Sequence, residues 1–131
     1  MEIETGNAHD VDTRGSGWFI GFSPWAKDSA GGIRYVAQDE ELSGLSVKWF
    51  HHPAGHTSGA KPLSTGRTVS ILVTDGAHFE IDFCGQPDFT GEVRTVALRR
   101  EGDFAMWGEG LYHRWRCVAD ATIATVRWSP A

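Results

Sequence analysis

The chain has 131 residues, 40% of them hydrophobic, which is enough for one domain that buries a core and encloses a small cavity. Its formal charge of −5 is spread over interleaved acidic and basic residues, without a Lys/Arg cluster that would bind nucleic acid or an anionic membrane. The longest apolar runs, such as residues 69–73, are too short to span a bilayer. We therefore expect neither a nucleic acid nor a membrane as a partner.

Residues 1–14 are predicted to be a flexible tail, and residues 15–131 a single domain. Residues 1–15 are polar and acidic, whereas a signal peptide is basic and then apolar. Cys84 and Cys117 stand alone, without the spacing pattern of a disulfide-rich secreted protein. These features predict a cytoplasmic location.

Short segments rich in Val, Ile, Phe, Trp and Thr alternate with turns that contain Gly and Pro, which is typical of antiparallel strands. The predicted strands cover residues 18–22, 33–37, 45–50, 68–74, 78–83, 93–98, 103–107, 112–117 and 121–128. The sequence indicates a helical turn only at residues 38–42. This number of strands predicts two packed sheets.

The segment VTDGAH, residues 73–78, predicts a tight hairpin turn, because Asp75-Gly76 readily adopts the positive φ angles that such turns require. Its two arms, residues 68–74 and 78–83, both alternate between apolar and polar side chains. We therefore expect the two arms to pair with each other.

Residues 51–66, with the sequence HHPAGHTSGAKPLSTG, are predicted to form a long loop or an irregular edge. Loops of this length inside a small domain are commonly functional. The loop carries His51, His52 and His56, whose spacing matches no established pattern of metal ligands. They are interpreted as solvated loop residues, with metal binding as the alternative.

Gly102, Gly108, Gly110 and His113 follow the spacing of the second conserved motif of the cupins, with Gly108 in the usual place of proline. In addition, the segments VKWFHHPAGH, TVSILVTDG, GDFAMWGEGLYHRW and VRWSP are similar, in order, to a group of small single-domain cupin-like proteins. Members of that group often carry the label "signal peptidase I". The sequence has no membrane anchor and no evident serine–lysine pair for such a hydrolase, so the label indicates no activity here.

The resemblance implies an all-β fold, the cupin-type double-stranded β-helix, which is a jelly-roll sandwich or barrel with one open mouth. It also implies that His113 points into the cavity. The metal ligands of the first cupin motif would fall on Leu63, Thr65 and Val69, or in the other register on Pro62, Ser64 and Thr68. Neither set contains a ligand, so we expect no metal and no other cofactor.

His113 is the candidate catalytic or hydrogen-bonding residue, because imidazole both donates and accepts near neutral pH. Trp49, Trp107 and Trp115 are the candidate ligand-binding tryptophans, and Arg67 is placed to bind a carboxylate or phosphate. Among the carboxylates, Glu109 alone has a position beside the cavity in its favour. The alternative for His113 is a structural histidine satisfied inside a packed barrel.

Three functions stay open at this point. The first is the binding of a small organic ligand or metabolite in an aromatic cavity centred on His113, with or without acid/base chemistry of the isomerase, cyclase or dehydratase type. The second is a metal-dependent enzyme, a dioxygenase or isomerase, that uses His113 with loop histidines. The third is a non-catalytic module for oligomerisation or partner binding. A homodimer is expected, with residues 17–22 of one chain covering an edge of the other.

Overall fold

The computed structural model describes residues 1–13, 15–21, 32–35, 42–59 and 61–130. Its strands are β1 (Ile3–Asn7), β2 (Leu42–His52), β3 (Arg67–Leu72), β4 (His78–Cys84), β5 (Val93–Leu98), β6 (Asp103–Trp107), β7 (Tyr112–Ala119) and β8 (Ala121–Pro130). They form a five-stranded sheet in the order β1-β6-β3-β8-β2 and a three-stranded sheet in the order β5-β4-β7. All the pairs within these sheets are antiparallel. The predicted all-β, two-sheet architecture is therefore confirmed.

The main core lies between the two sheets. Strand β4 turns Phe79, Ile81 and Phe83 inward, where each is at most 2% exposed. They face Leu72 of β3 and Ile123 of β8, which belong to the same apolar cluster. Full burial of one such side chain stabilises the fold by about 1.5–3 kcal/mol, so this layer holds the sheets together at one end of the sandwich.

The five-stranded sheet also buries its outer face. A second apolar cluster consists of Ile33, Val69, Phe104, Met106 and Trp128, with Val11, Phe19, Ile20, Ile71 and Val126 packed against it. Residues 11–20 and 33 thus cover a sheet whose strands have apolar side chains on both faces. The ring of Phe19, for example, lies 5.5 Å from that of Phe104.

In this covering layer, the described residues of two predicted strands do not form strands. Residues 18–21 make only one isolated bridge, between Gly21 and Tyr35, and Gly32–Arg34 is a 3-10 turn. Phe22, residues 36–37 and residues 38–41 of the predicted helical turn lie outside the described residues. Phe19 and Ile20 cover the neighbouring sheet, so these two apolar residues indicated burial rather than strand pairing, whereas Trp18 is exposed.

The first residues differ from the predicted flexible tail. Ile3–Asn7 forms β1, which pairs with β6 over the full register from Ile3–Trp107 to Asn7–Asp103. The side-chain Nδ2 of Asn7 also donates hydrogen bonds to the Glu101 carbonyl at 2.9 Å and to Asp103 Oδ1 at 3.0 Å. β1 has only one apolar residue, so its sequence shows no alternation of apolar and polar side chains. It is stabilised instead by backbone hydrogen bonds to β6.

The predicted β3–β4 hairpin is wrong. Strand β3 pairs with β6 and β8, while β4 pairs with β5 and β7 in the other sheet. The turn itself does form, with Gly76 at φ 69° and Asp75 Oδ1 accepting a hydrogen bond from the Glu101 amide at 3.0 Å. It carries the chain across the core instead of back along the same sheet.

The outer face of the three-stranded sheet is stabilised by ion pairs. Asp82 is buried and accepts hydrogen bonds from Thr95 at 2.6 Å and from Arg114 and Arg116 at 3.0 Å each. Burial raises the pKa of Asp82, but these hydrogen bonds outweigh it, and the pKa is lowered below its ordinary value. Asp82 is therefore ionised and paired, and its role is structural.

The first glycine of the motif supports a specific stability test. Gly102 has φ 92°, and a Cβ atom there would lie 2.9 Å from both Asn7 Oδ1 and His9 Cδ2. We expect Gly102→Ala to lower the free energy of unfolding by about 1–3 kcal/mol in urea denaturation. Gly108→Ala is the control, because its Cβ would meet nothing within 4 Å, and it should change stability by less than about 0.5 kcal/mol. Equal losses in both variants would contradict this account of Gly102.

Candidate functional site

A cavity of about 560 Å³ opens between the two sheets, and Phe79, Ile81 and Ile123 of the main core line part of it. The inner face of the five-stranded sheet changes character along its strands. Thr68 and Ser70 of β3 line the cavity before Leu72 enters the core, and Thr125 of β8 lines it beside Ile123. A volume of this size suits a small organic ligand.

The strand register places a polar row across this wall. Arg127 of β8 lies opposite Thr68 of β3 on one side and opposite Ser46 of β2 on the other. The next row joins Lys48 to Thr125. All five residues line the cavity, so one complete wall is built from hydroxyl groups and cations.

His113 lines the cavity from the opposite sheet. It lies on β7 opposite Phe83 of β4, is 8% exposed, and its ring centroid is 5.1 Å from that of Trp107. Its Nδ1 atom is buried and has no hydrogen-bond partner within the part of the chain that the structure describes. Burial, followed by the charges of Arg127 and other nearby cations, lowers the pKa of His113 to about 4. The ring is therefore neutral at pH 7, with one nitrogen left to a further partner.

Trp107 is fixed beside His113 by a hydrogen bond to the loop. Its Nε1 donates to Ser64 Oγ at 3.1 Å. Ser64 is in turn anchored to the β6–β7 turn, because its amide donates to the Leu111 carbonyl at 3.0 Å and its carbonyl accepts from the Gly110 amide at 2.9 Å. The indole therefore presents an apolar face to the cavity with its N–H group already satisfied.

His52, at the end of β2, and His56, in the loop that follows, form an aromatic cluster with Trp115. His52 Nδ1 lies 3.0 Å from His56 Nδ1, and the Trp115 ring lies 4.4 Å from His52 and 5.0 Å from His56. His52 and Trp115 line the cavity. Burial, then the neighbouring His56 and Lys48, lowers the pKa of His52 to about 4. His52 is thus a second neutral imidazole at the site, whereas His51 bonds Thr122 at 3.1 Å.

The predicted long loop forms a wall of the cavity. The cavity is lined from the loop by Lys61, Pro62, Leu63, Ser64 and Thr65. Further upstream, the loop is bonded to the edge of β7, with the Gly55 amide donating to the Cys117 carbonyl and the Cys117 amide donating to the His56 carbonyl, each at 2.8 Å. This pairing fixes the loop across the gap between the two sheets.

The structure brings together three of the five predicted site residues. His113, Trp107 and Trp115 line the cavity, but Trp49 and Arg67 do not. Trp49 is 68% exposed, because alternation along β2 turns the neighbouring Lys48 inward. Arg67 lies opposite Trp128, on the outer-face side of β3, and its Nη1 is 3.5 Å from the Tyr35 carbonyl. In both cases the side chain lies on the opposite face of its strand from the one expected. The neighbouring residue lines the cavity instead, Lys48 on β2 and Thr68 on β3.

Arg127 is therefore the arginine that lines the cavity in place of Arg67. Glu109 is exposed in the β6–β7 turn and does not line the cavity. Sequence reasoning did not single out six further polar lining residues: Ser46, Lys48, Lys61, Ser70, Thr125 and Arg127. His52 was interpreted as a solvated loop residue, whereas it is 3% exposed and lines the cavity. Lys61 lies in the predicted loop, and the only signal for the other five was strand alternation. On β2 and β8 that signal was ambiguous, because apolar residues occupy the opposite face.

The donor set does not fit a metal centre. The first-motif positions Pro62, Leu63, Ser64, Thr65 and Thr68 line the cavity without an imidazole or carboxylate, and Val69 is buried in the outer cluster. Within the described ranges, no group of three or more His, Cys, Asp and Glu side chains is placed to hold a metal ion. The cations that lower the pKa of His113 would also repel a metal ion.

Comparisons were made with known sequences and solved structures. The sequence matches no protein-family model, and no curated protein is significantly similar to it. Among solved structures, the enzyme HEPD of Streptomyces albus, with 2-hydroxyethylphosphonate and Fe(II) bound, matches 66% of this chain and 18% of its own at TM-score 0.54 and 10% identity. The cupin domain of Drosophila melanogaster CENP-C matches over 62% of this chain and 59% of its own, at TM-score 0.51 and 10% identity.

A third similar structure, the TDP-quinovose 3,4-ketoisomerase WlaRB of Campylobacter jejuni, matches over 66% of this chain and 62% of its own, at TM-score 0.51 and 14% identity. The chain has a cupin-type fold. It spans less than two thirds of each of these three proteins, and at such identities the likeness concerns the fold alone. None of these cupin neighbours supports the signal peptidase label. The described part of the chain contains no helix with the length and apolar character of a membrane span.

The lowered pKa of His113 predicts how stability depends on pH. Its pKa is about 4 in the folded chain and 6.5 in the unfolded chain, so the unfolded state binds more protons between these values. The free energy of unfolding should therefore fall as the pH is lowered, with a loss on the order of 2 kcal/mol from His113 between pH 7 and pH 5.

Urea unfolding of the parent and of His113→Gln at pH 7, 6 and 5 measures this effect. The variant should keep the part of the pH dependence that comes from His52, whose pKa is lowered in the same direction, and should lose the part from His113. Identical pH dependence in the two proteins would show that His113 titrates normally in the folded state.

Proposed function

We propose that the protein binds a small organic molecule in the cavity and that His113 hydrogen-bonds it. The observation that carries this proposal is the buried Nδ1 of His113, which has no hydrogen-bond partner among the described residues, on a side chain that lines a cavity of about 560 Å³. Leaving such an atom unpaired costs about 1–3 kcal/mol. A ligand that supplies the partner recovers this cost.

The remaining walls suit an organic ligand with an apolar part. Trp107, Trp115 and Phe79 offer aromatic surface, and the hydroxyl groups of Thr68 and Ser70 lie on the facing sheet. An apolar wall with a few convergent polar groups is the usual composition of a ligand pocket. Aromatic walls bind flat or apolar groups, while the hydroxyls fix their orientation.

Binding is favoured over proton transfer as the main role of His113. An efficient general base has a pKa near the working pH, whereas that of His113 is about 4. Acid/base chemistry of the isomerase, cyclase or dehydratase type is the second candidate function, favoured by the two neutral imidazoles, His52 and His113, that border one cavity. The fold is compatible with either role, since the similar structures include an Fe(II)-bound enzyme and a ketoisomerase.

The test uses two matched pairs of probes: benzoate with benzamide, and phthalate with phthalamide. In protein labelled with ¹⁵N-tryptophan, the indole signals of Trp107 and Trp115 should shift on titration, while that of the exposed Trp49 should not. His113→Ala should weaken binding about tenfold, as expected for one lost hydrogen bond. Trp49→Ala is the control variant and should leave the affinity unchanged.

Two outcomes would contradict the proposal. The first is the absence of any shift at Trp107 and Trp115 with all four probes. The second is a His113→Ala protein that loses stability while its folded fraction binds the probes as the parent does, because His113 would then be a structural core residue. Thermal unfolding of each variant, recorded beside the titrations, separates these cases.

A homodimer stays a prediction, and the outer face of β2 gives it a location. Leu45, Val47 and Trp49 are 68%, 71% and 68% exposed on this strand, which is an edge of the sheet among the described residues. Residues 17–22, expected to cover a partner, instead place Phe19 and Ile20 against the sheet of their own chain. Light scattering should give twice the monomer mass, and a Trp49→Lys variant should shift toward monomer. A monomeric parent at working concentration would overturn this prediction.

A further inference from the structure

Three cationic side chains border the cavity without a carboxylate among them. They are Lys48 of β2, Lys61 of the loop and Arg127 of β8, and no Asp or Glu in the described part of the chain lines the cavity. None of the three forms a salt bridge with a residue that the structure describes. This arrangement is unexpected in a chain with a net charge of −5.

Several other cations of the chain are paired closely with acids. On the outer face of the three-stranded sheet, Arg114 and Arg116 share the carboxylate of Asp82 at 3.0 Å, and Arg116 also bonds Glu80 at 3.2 Å. Cations that serve only the fold are therefore neutralised there by neighbouring acids. Those at the cavity are not.

The unpaired cations also act against one another. Burial lowers the pKa of Lys48, and the charges of Lys61 and Arg127 lower it further. Because Lys48 and Arg127 are exposed, solvent screens much of this repulsion, and its cost to folding is small. A negatively charged ligand would remove the repulsion that remains.

The side chains are positioned to receive an acid group. Arg127 donates from Nε to Thr68 Oγ1 at 2.9 Å, which orients the guanidinium and leaves its terminal nitrogens for another acceptor. Lys48 and Arg127 stand on neighbouring strands in adjacent rows of the wall. Both are exposed while His113 is buried, so the cations lie nearer the mouth than the imidazole does.

We propose that the ligand is a small organic anion, whose acid group binds among Lys48, Lys61 and Arg127 and whose apolar part contacts Trp107 and Trp115 near His113. This inference rests on the proposed function and adds the chemical class of the ligand. A carboxylate or phosphate-type acid would supply charge-assisted hydrogen bonds to all three cations. The positive field inside the cavity would also attract such ligands from solution.

The experiment compares each acid with its neutral amide of nearly the same shape. Benzoate should bind about tenfold more tightly than benzamide, and the doubly charged phthalate should exceed phthalamide by a larger factor. Added sodium chloride should weaken binding of the acids and leave binding of the amides unchanged.

Charge-removing variants identify the cations that cause the preference. Lys48→Met, Lys61→Met and Arg127→Gln should each weaken benzoate binding roughly three- to tenfold without changing benzamide binding. Arg94→Gln is the matched control, because Arg94 is exposed and does not line the cavity, so it removes one charge elsewhere. Lys48→Met should also raise the melting temperature, since it relieves repulsion.

The outcomes separate this inference from the function on which it rests. If amides and acids bind equally well, the anion inference fails and ligand binding in the cavity stands. If none of the four probes binds, both fail. If Arg94→Gln weakens benzoate binding as much as Lys48→Met does, the preference comes from the overall charge of the protein, and the assignment of the three cations is wrong. If Lys48→Met lowers the melting temperature, Lys48 supports the fold and is not held there against repulsion.

Discussion

The requirement that buried polar groups be hydrogen-bonded or hydrated sets the shape of this protein. Along the inner face of the larger sheet, Thr68 and Ser70 give way to Leu72, so one end is polar and the other apolar. The apolar side chains of the main core hold the two sheets together, while hydroxyl groups and cations line the cavity beside it. Closing the cavity would bury Lys48 and Arg127 without acidic partners, at a cost of several kilocalories per mole. The sandwich therefore stays open there, and the cavity follows from the same alternation that builds the core.

Strand alternation predicted which faces are buried but not which strands pair. Most strands were located correctly because Val, Ile, Phe and Trp at every second residue, bounded by glycines, have few other structural solutions. The arms on either side of Asp75-Gly76 satisfy their alternation just as well by facing each other across a core as by pairing in a hairpin. Long-range pairing such as that of β1 with β6 leaves no local signal, because the partner lies about a hundred residues away along the chain.

The prediction of site residues succeeded on strands with one apolar face and failed on strands with apolar residues on both faces. On β7, His113 and Trp115 were placed correctly because the motif and the alternation agree. On β2, the resemblance of the segment to cupin-like proteins suggested Trp49 as a pocket residue, whereas the inward face carries Lys48. On β8, Val126 and Trp128 pack on the outer layer and hide Arg127 from any argument based on hydrophobicity. A polar cavity reverses the usual rule that apolar side chains mark the interior.

The position of β8 has a consequence for how the chain is made. This strand pairs with both β2 and β3, so it joins most of the larger sheet together, yet it comes from residues 121–130. During synthesis, β2 and β3 must wait for their shared partner while more than fifty further residues emerge from the ribosome. Until then β2 lacks the partner for its backbone hydrogen bonds and β3 lacks one of its two partners, so the larger sheet is completed only after β8 has been translated.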